Sequence, residues 1–208
     1  MKQLFMKARD SGMPEEQMWA SFFDAPRMLA ALGFTGIKGD VADFGCGYGT
    51  FTIAAANLTT ATVFAFDIER EMIEATAHKA RSLDLHNVRA VHRDVMERGS
   101  GLADATLAYV MLFNILHAER PMILLREAFR TLAPGGKVAV AHWIYDSSTP
   151  RGPDLSIRPR PEHCRDWLKE SGFELDIPLV SLPPYHYGIV GRKPNETPET
   201  STKQMRRS

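Results

Sequence analysis

The decamer Val41 to Thr50, Val-Ala-Asp-Phe-Gly-Cys-Gly-Tyr-Gly-Thr, constrains this chain more than any other feature. Val41 to Phe44 suit a strand, and the next five residues place glycines at 45, 47 and 49. Without a Cβ, glycine reaches backbone angles closed to other residues and lets a ligand lie against the main chain. Thr50 to Ala56 then reads as a helix whose free N–H groups would point at that ligand. Strand, glycine loop and helix together predict a cofactor cradle. The dinucleotide fingerprint G-x-G-x-x-G, counted from Gly45, needs a third glycine where Thr50 stands, and this mismatch lowers the NAD(P) reading.

Further acidic residues follow at strand ends. Thr62 to Phe66 is a strand-like run ending on Asp67, whose carboxylate can accept from two ribose hydroxyls. Val88 to Val91 is a short strand, and Asp94 just beyond it is placed to accept from the exocyclic amine of an adenine. The strand Ala105 to Phe113 runs into Asn114-Ile115-Leu116-His117. A helix over Leu124 to Leu132, with Pro121 in its first turn, leads through Pro134-Gly135-Gly136 to a strand over Lys137 to Ala141.

Through these residues the chain resembles class I S-adenosylmethionine (SAM) dependent methyltransferases, nearest to the small-molecule branch that includes the ubiquinone and menaquinone biosynthesis enzymes. The likeness covers residues 37 to 142 and thins beyond them. It implies a doubly wound α/β fold, a mostly parallel seven-stranded sheet with an antiparallel last strand. It also implies SAM as cofactor and S-adenosylhomocysteine as product. Asp43 and the backbone from Gly45 through Cys46 and Gly47 to Gly49 would hold the methionine part. Asp67 would hold the ribose and Asp94 with the Val95 backbone the adenine, with Ile68 a further cofactor-binding residue. Two departures stand out: Ala118 follows His117 where many relatives carry a second histidine, and the Glu97 to Gly101 segment lacks the usual Pro-Phe pair.

With 208 residues, 44% of them hydrophobic and 24% charged, the chain fits one globular domain over 1–193. Lys plus Arg equals Asp plus Glu at 25 each, so no global field recruits nucleic acid or an anionic membrane. Only Cys46 and Cys164 are present, which excludes a disulfide scaffold and fits a reducing cytoplasm. No apolar run approaches the ~20 residues of a membrane span. The seven histidines are scattered, so no metal is expected. Monomer and homodimer fit the composition equally. The tail over 194–208 is too polar to offset its ordering entropy and is expected to be disordered.

Strands alternating with helical patterns place helices on both faces of a parallel sheet. One helix is expected over Glu69 to Leu83 and another from Pro161 to Gly172. Two final strands, Phe173 to Val180 and Tyr185 to Gly191, are spaced as a hairpin. Ligands of such sheets bind beyond the strands' carboxyl ends. That rule gathers Asn114 to His117, His142 to Tyr145, the connection 146–160 and Tyr185 to Tyr187 around a small-molecule methyl acceptor. The 146–160 connection carries Arg151, Arg158 and Arg160, which either contact an anionic acceptor or line a solvated loop.

A cap over 13–32 with Trp19, Phe22 and Phe23 either packs on the sheet or covers the cofactor. Candidate acceptor contacts are Trp19, Asn114, Trp143, Tyr145, Arg158, Tyr185 and Tyr187. Candidate general bases, in order, are His142, His117 and His186, because a neutral imidazole accepts a proton near neutral pH. Each of these histidines could instead simply hydrogen-bond the backbone. Besides methyl transfer, an NAD(P) oxidoreductase and a SAM-binding protein without turnover remain open at this stage.

Overall fold

The structure, a computed structural model, describes residues 14–195. In chain order its elements are α1 (Glu16–Ala20), α2 (Ala25–Ala31), β1 (Asp40–Phe44), α3 (Thr50–Leu58), β2 (Val63–Asp67), α4 (Arg70–Ser82) and β3 (Val88–His92). Then follow α5 (Val95–Arg98), β4 (Leu107–Phe113), α6 (Pro121–Thr131), β5 (Leu132–Trp143), α7 (Pro161–Glu170), β6 (Glu174–Leu182) and β7 (His186–Arg192). Seven strands form one sheet in the order β3-β2-β1-β4-β5-β7-β6. The pairs from β3 through to β5 are parallel, while β7 runs antiparallel to both β5 and β6. The doubly wound sheet with one reversed last strand matches the expectation from sequence.

The apolar run Leu-Ala-Tyr-Val-Met-Leu-Phe of β4 is what a central parallel strand covered on both faces requires, and six of its seven residues are buried. Successive side chains leave opposite faces. Val110 and Leu112 meet Leu125, Ala128, Val140 and Leu168 on one side. Tyr109 and Met111 meet Leu29, Leu32, Phe51, Ala55 and Ala139 on the other. Full burial of each such side chain stabilises the fold by roughly 1.5–3 kcal/mol.

The chain winds outward from β1 through β2 to β3, then returns to lay β4 on the other side of β1. The connections diverge at that reversal, which opens a crevice beyond the carboxyl ends of β1 and β4.

Two elements depart from the sequence reading. The strand expected over 137–141 begins at Leu132, which pairs with Leu107, while the next pairing joins Tyr109 to Lys137. Residues 133–136 are therefore bulged out of the ladder. They are tied to the end of β7 by Gly135 N donating to Lys193 O and Lys193 N to Gly136 O. The cap divides into α1 and α2. The first ends at Ala20, and Asp24 starts the second, its carboxylate accepting from Arg27 N at 3.2 Å with Pro26 in the first turn. Residue 13 of the expected cap and residues 196–208 of the expected tail lie outside the described residues. Among the described residues no helix is long and apolar enough to cross a membrane, and no group of His, Cys, Asp and Glu is placed to hold a metal ion.

Candidate functional site

A cleft opens at the crevice, lined by the end of β1 and its loop (Asp43 to Gly47), the end of β2 (Phe66 to Glu69), Arg93 to Met96 after β3, and Phe113 to Ala118 after β4. The loop is held from below: the amides of Gly45 and Cys46 both donate to Phe66 O, at 2.8 and 2.9 Å. Gly47 N donates to Asp67 Oδ2 at 2.9 Å, and Thr76 Oγ1 donates to Gly47 O at 3.0 Å.

Two glycines of the loop hold left-handed backbone angles beside close neighbours. Gly45 has φ +77°, and a Cβ there would lie 2.4 Å from Ile115 Cδ1, so the turn after β4 abuts the loop directly. Gly49 has φ +74°, and a Cβ there would lie 2.7 Å from Thr76 Oγ1 and 2.8 Å from its methyl. Gly49→Ala therefore combines left-handed backbone strain with an overpacked contact. It is expected to lower stability by about 2–4 kcal/mol, read by urea unfolding.

Two carboxylates meet at the loop without a cation between them. Asp43 is 2% exposed and accepts from Thr52 Oγ1 at 2.7 Å. Burial pushes its acid up to about 7, with the nearby Asp67 adding to the rise. Asp67 is also raised, chiefly by burial, while its two oxygens accept from Gly47 N and Glu69 N. Among the described residues the ion pairs include neither of them. A cleft of this charge is complementary to a ligand carrying an ammonium and a sulfonium. The pyrophosphate of a dinucleotide at the same loop would face both carboxylates at a repulsive cost. Asp94 caps α5, its Oδ1 accepting from Met96 N at 2.9 Å and Glu97 N at 3.1 Å, and its side chain also borders the cleft.

The structure thus brings Asp43, Gly45, Cys46, Gly47, Asp67, Ile68, Asp94 and Val95 into one cleft together with Trp19, Asn114 and His117. Gly49, also expected to bind the cofactor, is not among its lining residues and is the left-handed residue before α3. His142, Trp143, Tyr145, Arg158, Tyr185, His186 and Tyr187 are not among its lining residues.

Arg158, one candidate for an anionic acceptor, is 7% exposed. It donates to the carbonyls of Ile144, Asp146 and Pro153 and to Thr149 Oγ1, all within 3.1 Å. The guanidinium organises the 146–158 loop from inside. Tyr145 is covered by Arg160, 3.8 Å above its ring. Tyr187 is buried and donates to Pro159 O at 3.0 Å. Trp143, Tyr185 and His186 form an aromatic group with Phe22 and Phe23 of the cap; the Trp143 and His186 rings are 4.3 Å apart.

Burial lowers the His117 imidazole to about 4 and that of His186 to about 3, and holds His142 well below its ordinary value, so all three are neutral near pH 7. Sequence reasoning missed Phe51, Phe113 and Leu124, which with Ile115 give the cleft its apolar wall. Their only signal in the sequence was a position beside a motif.

Residues 41–136 match the family described as a methyltransferase domain. Among curated proteins, the chain is 30% identical over 110 residues to a ribosomal protein L11 methyltransferase of Legionella pneumophila (strain Corby), covering 53% of this chain and 35% of that protein. It is 31% identical over 117 residues to a demethylmenaquinone methyltransferase of Listeria monocytogenes serovar 1/2a, covering 55% and 47%. The chain therefore spans less than half the length of these relatives. Among solved structures, a SAM-dependent methyltransferase from Aquifex aeolicus superposes with a TM-score of 0.73 at 22% identity, over 90% of this chain and 97% of that one, which establishes the shared fold.

Proposed function

Because residues 41–136 match a methyltransferase domain, we propose that this chain is a class I SAM-dependent methyltransferase that moves a methyl group from SAM to a small-molecule acceptor by in-line displacement. The carrying observation is the convergence of the glycine loop, two acidic side chains without a cationic partner and the Asn114 to His117 turn on one cleft. Bound SAM supplies an electrophilic methyl carbon on a sulfonium. Asp43 and the Gly45 to Gly49 backbone hold its methionine end, Asp67 its ribose, and Asp94 with the Val95 backbone its adenine, with Ile68 lining the same cleft.

Positive charge disperses during such a displacement, so the chain's own work is alignment and exclusion of water. Trp19, Phe51, Phe113 and Ile115 serve the second task, being aromatic or aliphatic walls beside the loop. The name of the Listeria relative supports a quinone-like ring as one acceptor, and the balanced charge of the chain supports a small molecule over nucleic acid. A cytoplasmic location fits the two unpaired cysteines.

Incubation with methyl-tritiated SAM and fractionated small-molecule extract tests the reading. Label is expected in an organic-soluble product. Label confined to protein or nucleic acid, or no transfer by a protein that binds SAM, would contradict it.

A further inference from the structure

Four of the seven buried side-chain polar atoms that lack a partner among the described residues gather at one end of the cleft, the others being Ser171 Oγ and the two ring nitrogens of His186. The four are Asn114 Oδ1, His117 Nδ1 and both ring nitrogens of His142. Asn114 and His117 belong to the turn after β4 and line the cleft, while the His142 ring lies 5.6 Å from the His117 ring, centroid to centroid. Burying a polar group without a hydrogen bond is destabilising. A cluster of such groups at one end of a cleft is therefore a place built for a ligand's polar group.

The turn's position says which ligand. Ile115 sits directly on Gly45, so Asn114 and His117 stand beside the loop assigned to the cofactor's methionine end, which is where an acceptor must approach. Asn114 also holds φ +54°, a backbone conformation that few non-glycine residues adopt and that fixes how its side chain leaves the turn.

We propose that Asn114 and His117, backed by His142, form a subsite that anchors a neutral hydroxyl group of the methyl acceptor. The inference rests on the methyltransferase reading and gives it an acceptor class. Donor and acceptor chemistry selects the group. Asn114 Oδ1 can only accept, so the ligand must bring an O–H or N–H; His117 Nδ1 is a donor or an acceptor according to tautomer. A hydroxyl satisfies both from a single atom.

Charge selects against anions. Burial keeps both imidazoles neutral, and the Arg158 guanidinium is engaged by loop carbonyls. A carboxylate or phosphate would enter without a counter-charge and face Asp43 across the loop. The surroundings select the body of the molecule: Trp19, Phe51, Phe113 and Leu124 suit an apolar ring.

The test uses fragments on the full chain, first free and then saturated with S-adenosylhomocysteine. Phenol, anisole, toluene and benzoate are titrated against protein labelled with 15N at its histidine rings, and the His117 signal is assigned by its loss in His117→Phe. Phenol is expected to bind at least 10-fold more tightly than anisole, toluene or benzoate, equivalent to about 1.4 kcal/mol, and to move the His117 signal. A site built for a hydroxyl rejects analogues that cannot supply it.

Equal binding of phenol and toluene, tighter binding of benzoate, or an unmoved His117 signal would overturn the subsite. Asn114→Ala, checked by its unfolding curve, is expected to abolish the preference for phenol over anisole, and retention of that preference would also overturn it. Failure of S-adenosylhomocysteine to bind, read separately by calorimetry, would instead strike the methyltransferase reading. The comparison of fragments on wild-type protein stands in either case.

Discussion

Asp67→Ala is expected to weaken S-adenosylhomocysteine binding by about 100-fold or more. Each hydrogen bond to a charged group contributes roughly 1.5–3 kcal/mol. A carboxylate accepting from two ribose hydroxyls therefore gives up about 3 kcal/mol or more when removed, even after water takes its place. The substitution also strips the loop of its tether, because Asp67 accepts from Gly47 N and Glu69 N at 2.9 Å each. Asp67→Asn separates the two contributions: it keeps the shape and half the accepting capacity, so an intermediate loss of affinity is expected. Calorimetry on variants whose urea unfolding remains cooperative reads the result. Unchanged affinity in Asp67→Ala would remove this residue from the cofactor site.

Asp43→Asn is expected to make the unliganded protein more stable at pH 8 while it weakens the cofactor. Burial raises the Asp43 acid to about 7. Between about 4, where an unfolded aspartate ionises, and about 7, the folded protein retains a proton that the unfolded chain releases. Stability therefore falls as pH rises through that window, by about 1.4 kcal/mol per pH unit and about 4 kcal/mol in all. Below about pH 4 both states are protonated and the penalty is absent. Asparagine has no charge to bury and still accepts from Thr52, so the variant should gain about 3 kcal/mol over wild type at pH 8 and show little difference near pH 4.

Binding runs the other way. A cationic cofactor group facing Asp43 favours its ionised form, so below pH 7 binding displaces a proton and affinity rises as pH climbs towards 7. The variant should bind more weakly and lose that dependence. Urea unfolding at both pH values and calorimetry between pH 6 and 8 check the pair. A stability difference independent of pH would show that Asp43 is ionised in the unliganded fold.

The parts of the site that could be read from sequence are those whose chemistry is local. Val41 to Thr50 encodes strand, loop and helix within ten residues, and Asp67 and Asp94 announce themselves by closing short apolar runs. Register was out of reach. His142 and His186 both lie near strand ends, and period-two alternation alone does not say which neighbours they meet. The pairing of His142 with Tyr187 and of Trp143 with His186 settles it, sending His142 towards His117 and His186 towards Phe23 on the opposite face.

Arg158 illustrates a second limit. Its partners are carbonyls spread from Ile144 to Pro153, and a carbonyl has no signature in sequence because every residue carries one. Ile115 illustrates a third. Nothing in an isoleucine says that it will rest on Gly45, yet that contact fixes the distance between the cofactor loop and the turn offered to the acceptor. The early start of β5 at Leu132 escaped because Pro134-Gly135-Gly136 reads as a break, whereas the fold accommodates it as a bulge tied to Lys193.

The most direct test of the central claim is isothermal titration of the purified protein with S-adenosylhomocysteine, with NADH as the control. Dissociation constants in the micromolar range, of order −8 kcal/mol, are expected for the first ligand and no measurable heat for the second. Binding of NADH alone would contradict the account, because it would place a pyrophosphate against Asp43 and Asp67 where the structure calls for a cation.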